Sequence, residues 1–343
     1  MTFEYLFNFF FKLKNYDKFP MLQDSKIQDN YNLQIPWVEG PLFEDNLHKI
    51  LGDSEKKQLV RKFREDGLIK LNLNADNLID KYSIINDQIN KFISFKDYSP
   101  DGNRIQDAWR FSNEVKELAG LEMIMKWLSL LYQRKPIPFQ TLNFKKGTEQ
   151  GMHSDTIHFH CLPHRFMVGV WIAFEDVDEE NGPLFYYPGS HKLPIYDFFD
   201  IGLNARTKQN LKDPSDNYKI YSKFIENNIL SGGFERKYVT VKKGDIIIWA
   251  ANLVHGGSKI LDNSRTRYSQ VTHYFFEGCM YYVPMYSIPN LGKYYFKEVT
   301  DVSNNNIVGQ SFLNRPLEDF MPVSNYSKKV KIIEKIKGLL SRK

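Results

Sequence analysis

The chain has 343 residues, 42% of them hydrophobic and 15% aromatic, enough apolar material for a large core, which excludes wholesale disorder. The net charge of +5 is local, because seven Lys or Arg and one Glu lie between Lys328 and Lys343 and leave the rest of the chain near −1. The sequence pI of about 8.8 is therefore a property of the tail, and no nucleic-acid partner is expected.

Two cysteines, Cys161 and Cys279, make neither a disulfide framework nor a zinc-ribbon spacing, so a reducing, cytoplasmic setting is expected. Cys161 reads as a small core residue. No apolar run approaches the roughly 18 residues of a membrane-spanning helix. The apolar start, Phe3 to Phe11, is interrupted by Glu4 and Asn8 and followed by Lys12 and Lys14, which argues against a signal peptide.

In chain order, residues 1–50 carry Pro20, Pro36 and Pro41 among many Asn and Asp and read as an extended arm. Residues 51–137 read as helical support for the core. Asp53 caps a helix that runs through Leu59, Val60 and Phe63 and stops at Gly67, and Leu68–Leu71 follows as a strand. Further helices are predicted from Asn77 to about Phe95 and from Asn113 to about Gln133, each with apolar residues at three- and four-residue steps.

From Pro138 the pattern changes to short runs rich in Phe, Val, Ile, Tyr and Thr between turn residues. Predicted strands are Phe139–Phe144, Met167–Phe174, Leu184–Tyr187, Tyr238–Val241, Ile246–Ala250 and Arg267–Phe276, the pattern of a sandwich or barrel core over 138–320. The stretch 192–233, with Tyr196, Phe198, Phe199, Arg206 and Lys208, reads as a lid-like insertion. Residues 328–343 have one apolar and one basic helical face, so weak contact with an anionic membrane surface stands beside docking on the domain itself.

The chemistry-bearing segment is Gly151-Met152-His153-Ser154-Asp155. Side chains alternate along an extended segment, so His153 and Asp155 point the same way. His255, in Leu253-Val254-His255-Gly256-Gly257, supplies a third ligand. Two His and one carboxylate leave open positions on an octahedral ion, the donor set of non-haem iron(II) oxygenases.

His-x-Asp alone is weak; its company is specific. Asn181-Gly182-Pro183-Leu184, Pro188-Gly189-Ser190-His191, Gly244-Asp245 and Leu253-Val254-His255-Gly256 follow in order. This series resembles the phytanoyl-CoA dioxygenase family over residues 138–277. The resemblance implies a mainly β fold with α additions, a double-stranded β-helix (jelly roll, cupin-like) flanked by N-terminal helices. It implies iron(II) held by His153, Asp155 and His255, with 2-oxoglutarate and O2 as cosubstrates and a small-molecule substrate that is hydroxylated. Arg267 would seat the distal carboxylate of 2-oxoglutarate, with Arg265 as its rival. Thr141 and Asn143 would contact the cosubstrate, and Trp171 would wall the site. The carboxylate of Asp155 argues against halogenation, since halogenases of this class have Ala or Gly there. Gly257 departs from the family, many of whose members carry Ser or Thr at that position.

His158, His160 and His164 crowd the same segment. His158 and His160 are placed on one strand face and read as pocket-lining or locally bonded residues, not as a second metal site. His191 reads as a structural turn; His48 and His273 are assigned no function. Two other readings compete: a metal-dependent isomerase or hydrolase without redox chemistry, and a catalytically silent binding module. A dicarboxylate anchor such as Arg267 has no role in the first, and the second would be expected to have lost a ligand.

Overall fold

The structure is a computed structural model and describes residues 34–72, 78–95, 99, 102, 104–203, 214–312 and 315–317. These fall within one unit, Gln34–Lys343. The tail 328–343, Arg206, Lys208 and the arm up to residue 33 lie outside the described residues.

The last part of the expected arm is folded. A 3-10 turn at Trp37–Glu39 leads into α1, Phe43–Ile50, and together they bury Trp37, Val38, Phe43 and Leu47. Apolar spacing there outweighs the prolines, which fall before the helix. In α2, Ser54–Asp66, the Asp53 carboxylate accepts from the N–H groups of Glu55 and Lys56 at 2.8 and 3.1 Å. Gly67 ends the helix at φ 77°, in the left-handed region that glycine enters without strain. The chain then turns directly into β1, Leu68–Asn72.

Helix α3 spans Ile79–Phe92. The single helix expected over 113–133 is two, α4 (Asn113–Ala119) and α5 (Glu122–Tyr132), broken at Gly120. Strand β2 (Arg104–Gln106) lies between α3 and α4, and β3 (Pro136–Phe144), β4 (His160–Leu162), β5 (Met167–Ala173) and β6 (Leu184–Tyr186) follow α5 in chain order. Within the expected insertion, Pro214–Ser231 forms α6. Strands β7 (Lys237–Val239), β8 (Asp245–Ala250), β9 (His255–Gly257), β10 (Ser269–Phe276) and β11 (Met280–Tyr282) complete the part that builds the site.

A six-stranded antiparallel sheet has the order β1-β8-β5-β10-β3-β2, and a three-stranded one the order β7-β6-β9. Period-two alternation divides the larger sheet between two cores. Val168, Val170, Ile172, Ile246 and Ile248 pack with Val60, Phe63, Ile85, Leu118 and Leu128 of the helices. Trp171, Ala173, Ile247 and Trp249 face the other way and pack with Tyr186 and Val239 of the smaller sheet. Phe185, on the opposite face of β6, packs with Tyr221, Ile225 and Ile229 of α6. The layers therefore run helices, large sheet, small sheet, α6. Among the described residues no helix is long and apolar enough to cross a membrane.

Candidate metal centre and its cavity

His153 and His255 are brought side by side by backbone pairing. They form an antiparallel bridge, with N–H to C=O bonds of 2.9 and 3.0 Å in the two directions. Asp155 follows at the start of a 3-10 turn, its N–H bonded to the carbonyl of Ala251 at 3.2 Å. One donor atom from each of the three side chains lies within 4.8 Å of the others. His153 Nε2 and His255 Nε2 are 3.7 and 4.0 Å from Asp155 Oδ1.

The tautomers are set locally. Each Nδ1 sits 2.9 Å from a carbonyl two residues back, Gly151 for His153 and Leu253 for His255. A carbonyl only accepts, so Nδ1 carries the proton and the lone pair is on Nε2, facing the common point. Burial, helped by His255 nearby, lowers His153 to about 3, so its imidazole is neutral and ready to ligate. Burial opposes ionisation of Asp155, but the neighbouring His255, His273 and His153 outweigh it and hold its carboxyl below the usual range. Trp249 Nε1 donates to Asp155 Oδ2 at 2.9 Å and so leaves Oδ1 for the ion. All three ligand side chains are buried. Neutral nitrogens, one carboxylate and fixed orientations fit a divalent transition metal. Gln150 Nε2 lies 3.2 Å from His153 Nε2, so its amide meets the lone pair that an ion would use.

The triad opens on a cavity of about 430 Å³ lined from both sheets. Arg267 lines it too, buried, with Trp171 beneath: the guanidinium carbon is 5.4 Å from the indole centroid. One terminal nitrogen donates to the carbonyl of Gly182 at 2.6 Å, while Nε has no partner. Burial lowers its pKa to about 10, which still leaves a cation at neutral pH. Arg265 is spent elsewhere, on Asp178 and Glu180 at 2.7 and 3.1 Å, and does not line the cavity.

Thr141 and Asn143 are displaced from their expected place. The cavity face of β3 carries Gln140, Leu142 and Phe144. Asn143 bonds Gln270, and Gln270 reaches Thr272 and the carbonyl of Val115 beneath the sheet. Both faces of β3 are buried, so polarity did not reveal which face holds the site. His158 and His160 do not share a face. His158 lines the cavity, 5.3 Å from the ring of Tyr218, whereas His160 bonds His164 at 2.8 Å. His158 closes the 3-10 turn Asp155–Ile157 in a helical conformation (φ −90°, ψ −34°), and the strand begins only at His160, so the alternation does not run from one to the other.

His273, assigned no function from sequence, lies in the cavity. Its Nε2 is 3.7 Å from Asp155 Oδ2 and its Nδ1 is 3.1 Å from Gln140. Counting in twos from Arg267 through Val271 reaches it, which is the signal that was available. His191 does serve a turn, with Nε2 3.1 Å from the carbonyl of Arg64. A Cβ on Gly257 would come 3.3 Å from Thr148 Oγ1, and both residues line the cavity. Thr148 therefore places a hydroxyl beside Gly257 in the cavity lining.

The chain belongs to the phytanoyl-CoA dioxygenase family: the model described as Phytanoyl-CoA dioxygenase (PhyH) matches residues 47–267. Among curated relatives, it is 24% identical over 192 residues to the peroxisomal phytanoyl-CoA dioxygenase of Rattus norvegicus, covering 52% of this chain and 50% of that one. It is 32% identical over 140 residues to a phytanoyl-CoA dioxygenase domain-containing protein 1 homolog of Dictyostelium discoideum, covering 40% and 43%. The chain spans about half or less of the length of these relatives. Solved structures that it is similar to include the non-heme alpha ketoglutarate dependent carbocyclase SnoK, at 17% identity and TM-score 0.49 over 66% of this chain and 85% of that one. EctD from S. alaskensis with bound Fe follows at 18% and 0.47, over 63% and 75%.

Proposed function

We propose that this protein is an iron(II)- and 2-oxoglutarate-dependent dioxygenase that hydroxylates a small molecule. The observation that carries this is one cavity holding both a His-Asp-His triad and a buried arginine with an unpartnered Nε. A non-redox metal enzyme has no use for that arginine. With iron(II), 2-oxoglutarate and O2 bound, the centre would couple decarboxylation of the cosubstrate to succinate and CO2 with oxidation of a substrate C–H bond.

The chain's own residues have separable tasks. His153, Asp155 and His255 hold the ion on one side and leave the other open to ligands. Arg267 seats the distal carboxylate of 2-oxoglutarate, since a guanidinium matches a carboxylate with paired hydrogen bonds. Trp171 fixes the plane of that guanidinium. Trp249 and His273 orient Asp155. Phe159 and Trp249, which line the cavity, keep bulk water from the reacting carbon. The facing antiparallel sheets read as a double-stranded β-helix over 138–320, supported by the helices of 51–137.

The test is metal-dependent consumption of 2-oxoglutarate, scored as succinate, with 2-oxoglutarate binding measured anaerobically on the iron-loaded protein. Binding that requires both iron and Arg267 is expected. Metal binding without any affinity for 2-oxoglutarate would remove the reading.

A further inference from the structure

The turn that carries Asp155 is gripped by an amide outside the ligand set. Asn252 lies in the turn 250–253 between β8 and β9, where the carbonyl of Ala250 accepts from the Leu253 N–H at 2.9 Å. Its Nδ2 donates to the carbonyls of His191 and Leu193 at 3.1 and 2.7 Å. Those two groups only accept, so the nitrogen end of the amide must face them and the oxygen end must face the other way. Oδ1 stands 3.3 Å from both Ser154 Oγ and Thr156 Oγ1, the residues on either side of Asp155.

The hydroxyls of Ser154 and Thr156 are 2.7 Å apart. One of their two protons fills that bond, and in either direction of the pair the other has Asn252 Oδ1 within reach; the carbonyl of Ala251, 3.2 Å from Ser154 Oγ, is the further acceptor. Ser154, Thr156 and Asn252 are all buried, so these bonds are made away from water, where a polar group left unpaired is costly. The far end of the amide is fixed independently. Arg165 donates to the same two carbonyls, Nη1 to His191 at 2.7 Å and Nη2 to Leu193 at 3.1 Å, and pairs with Glu39 at 2.7 Å. Asn252 therefore spans a braced anchor and the metal turn. Trp249 acts on the Asp155 carboxylate itself, whereas Asn252 acts on the chain that carries it.

We propose that Asn252 is a positioning residue of the metal centre: its amide ties the turn 154–156 to the start of the 192–233 insertion and so sets where the Asp155 carboxylate stands against His153 and His255. This rests on the oxygenase reading for the divalent ion held by those three side chains. A neutral amide suits the task, because it accepts at one end and donates twice at the other. An aliphatic side chain of similar size does neither, and a carboxylate has no donor for the two carbonyls.

The experiment titrates the full chain with Co(II), whose visible absorption follows its coordination geometry, with thermal melting to show that each variant is folded. Asn252→Leu should weaken Co(II) binding about tenfold or more, the usual effect of losing an outer partner of a metal ligand, and should shift the absorption band. The double variant Ser154→Ala/Thr156→Val leaves Asn252 in place and removes what it holds, and should do the same. All three substitutions together should cost no more than either set alone, since they break one link. Wild-type affinity in either folded variant, or losses that multiply in the combined one, would overturn the proposal. Where Asn252→Leu does not fold, the double variant decides alone, and unchanged affinity there overturns it. Failure of the wild-type protein to bind Co(II) would remove the metal reading and this inference with it. Binding by the wild type and all variants alike would remove the positioning role and leave the metal reading standing.

Discussion

On the proposed reading three side chains and one guanidinium carry the chemistry, and their substitution should have distinct signatures. His153→Ala removes a ligand whose backbone still pairs with His255. Metal binding and succinate release should be lost while the melting temperature stays within a few degrees; metal analysis and a melt on one sample check this. Arg267→Ala should weaken 2-oxoglutarate binding by about a hundredfold, a charge-assisted pair being worth ~3 kcal/mol. An unchanged requirement would return the role to Arg265. Thr148→Val should cost several-fold in 2-oxoglutarate affinity, about one neutral hydrogen bond, with metal affinity unaffected. The clustering of His153, Asp155 and His255 and the place of Arg267 in their cavity were legible because ion and anion sites need particular donors at particular spacings. Thr141 and Asn143 were misplaced because alternation pairs residues on a face without saying which face is the inner one.

At the scale of elements, β5 and β8 hold Asp155 in place through a gap. Gly169 pairs in register with Trp249, and any Cβ on Gly169 would overlap the indole. That indole donates to Asp155. Gly169→Ala should therefore lower metal affinity about tenfold or more, as loss of an outer hydrogen bond to a ligand does, and overpacking should cost ~1–3 kcal/mol of stability. Trp249→Phe should reproduce the first effect with its indole donor removed; full metal affinity in that variant would show that the indole does not orient the carboxylate. The sequence located the sheet elements because their β-branched runs are short and bounded. It hid α6, whose buried Tyr221, Ile225 and Ile229 recur every four residues within a polar stretch. It also gave no warning at Gly120, where apolar spacing continues across a break in the helix.

Across the whole molecule, several imidazoles are buried in neutral form. Burial lowers His191 to about 3 and pushes His160 well below its ordinary value. Unfolded, each would titrate near 6.5, so below about pH 6.5 the unfolded chain binds more protons than the folded one, for His191 down to about pH 3. Stability contributed by these groups is present above pH 6.5 and lost as pH falls. Lowering the pH from 6.5 to 5 should cost up to about 2 kcal/mol for His191, with His160 adding in the same direction. Urea melts at the two pH values should show this, and His191→Gln, which keeps a donor for Arg64 O, should flatten the slope. An equally steep slope in that variant would assign the effect to other groups.

The bridge that joins His153 to His255 also bears on how the protein would acquire the proposed ion. Because strand pairing, and not the ion, sets the two imidazoles side by side, the centre behaves as a socket moulded in advance. Treatment with a chelator should leave the circular dichroism spectrum intact, and re-entry of the ion should ask for little more than the Gln150 amide swinging off the His153 lone pair.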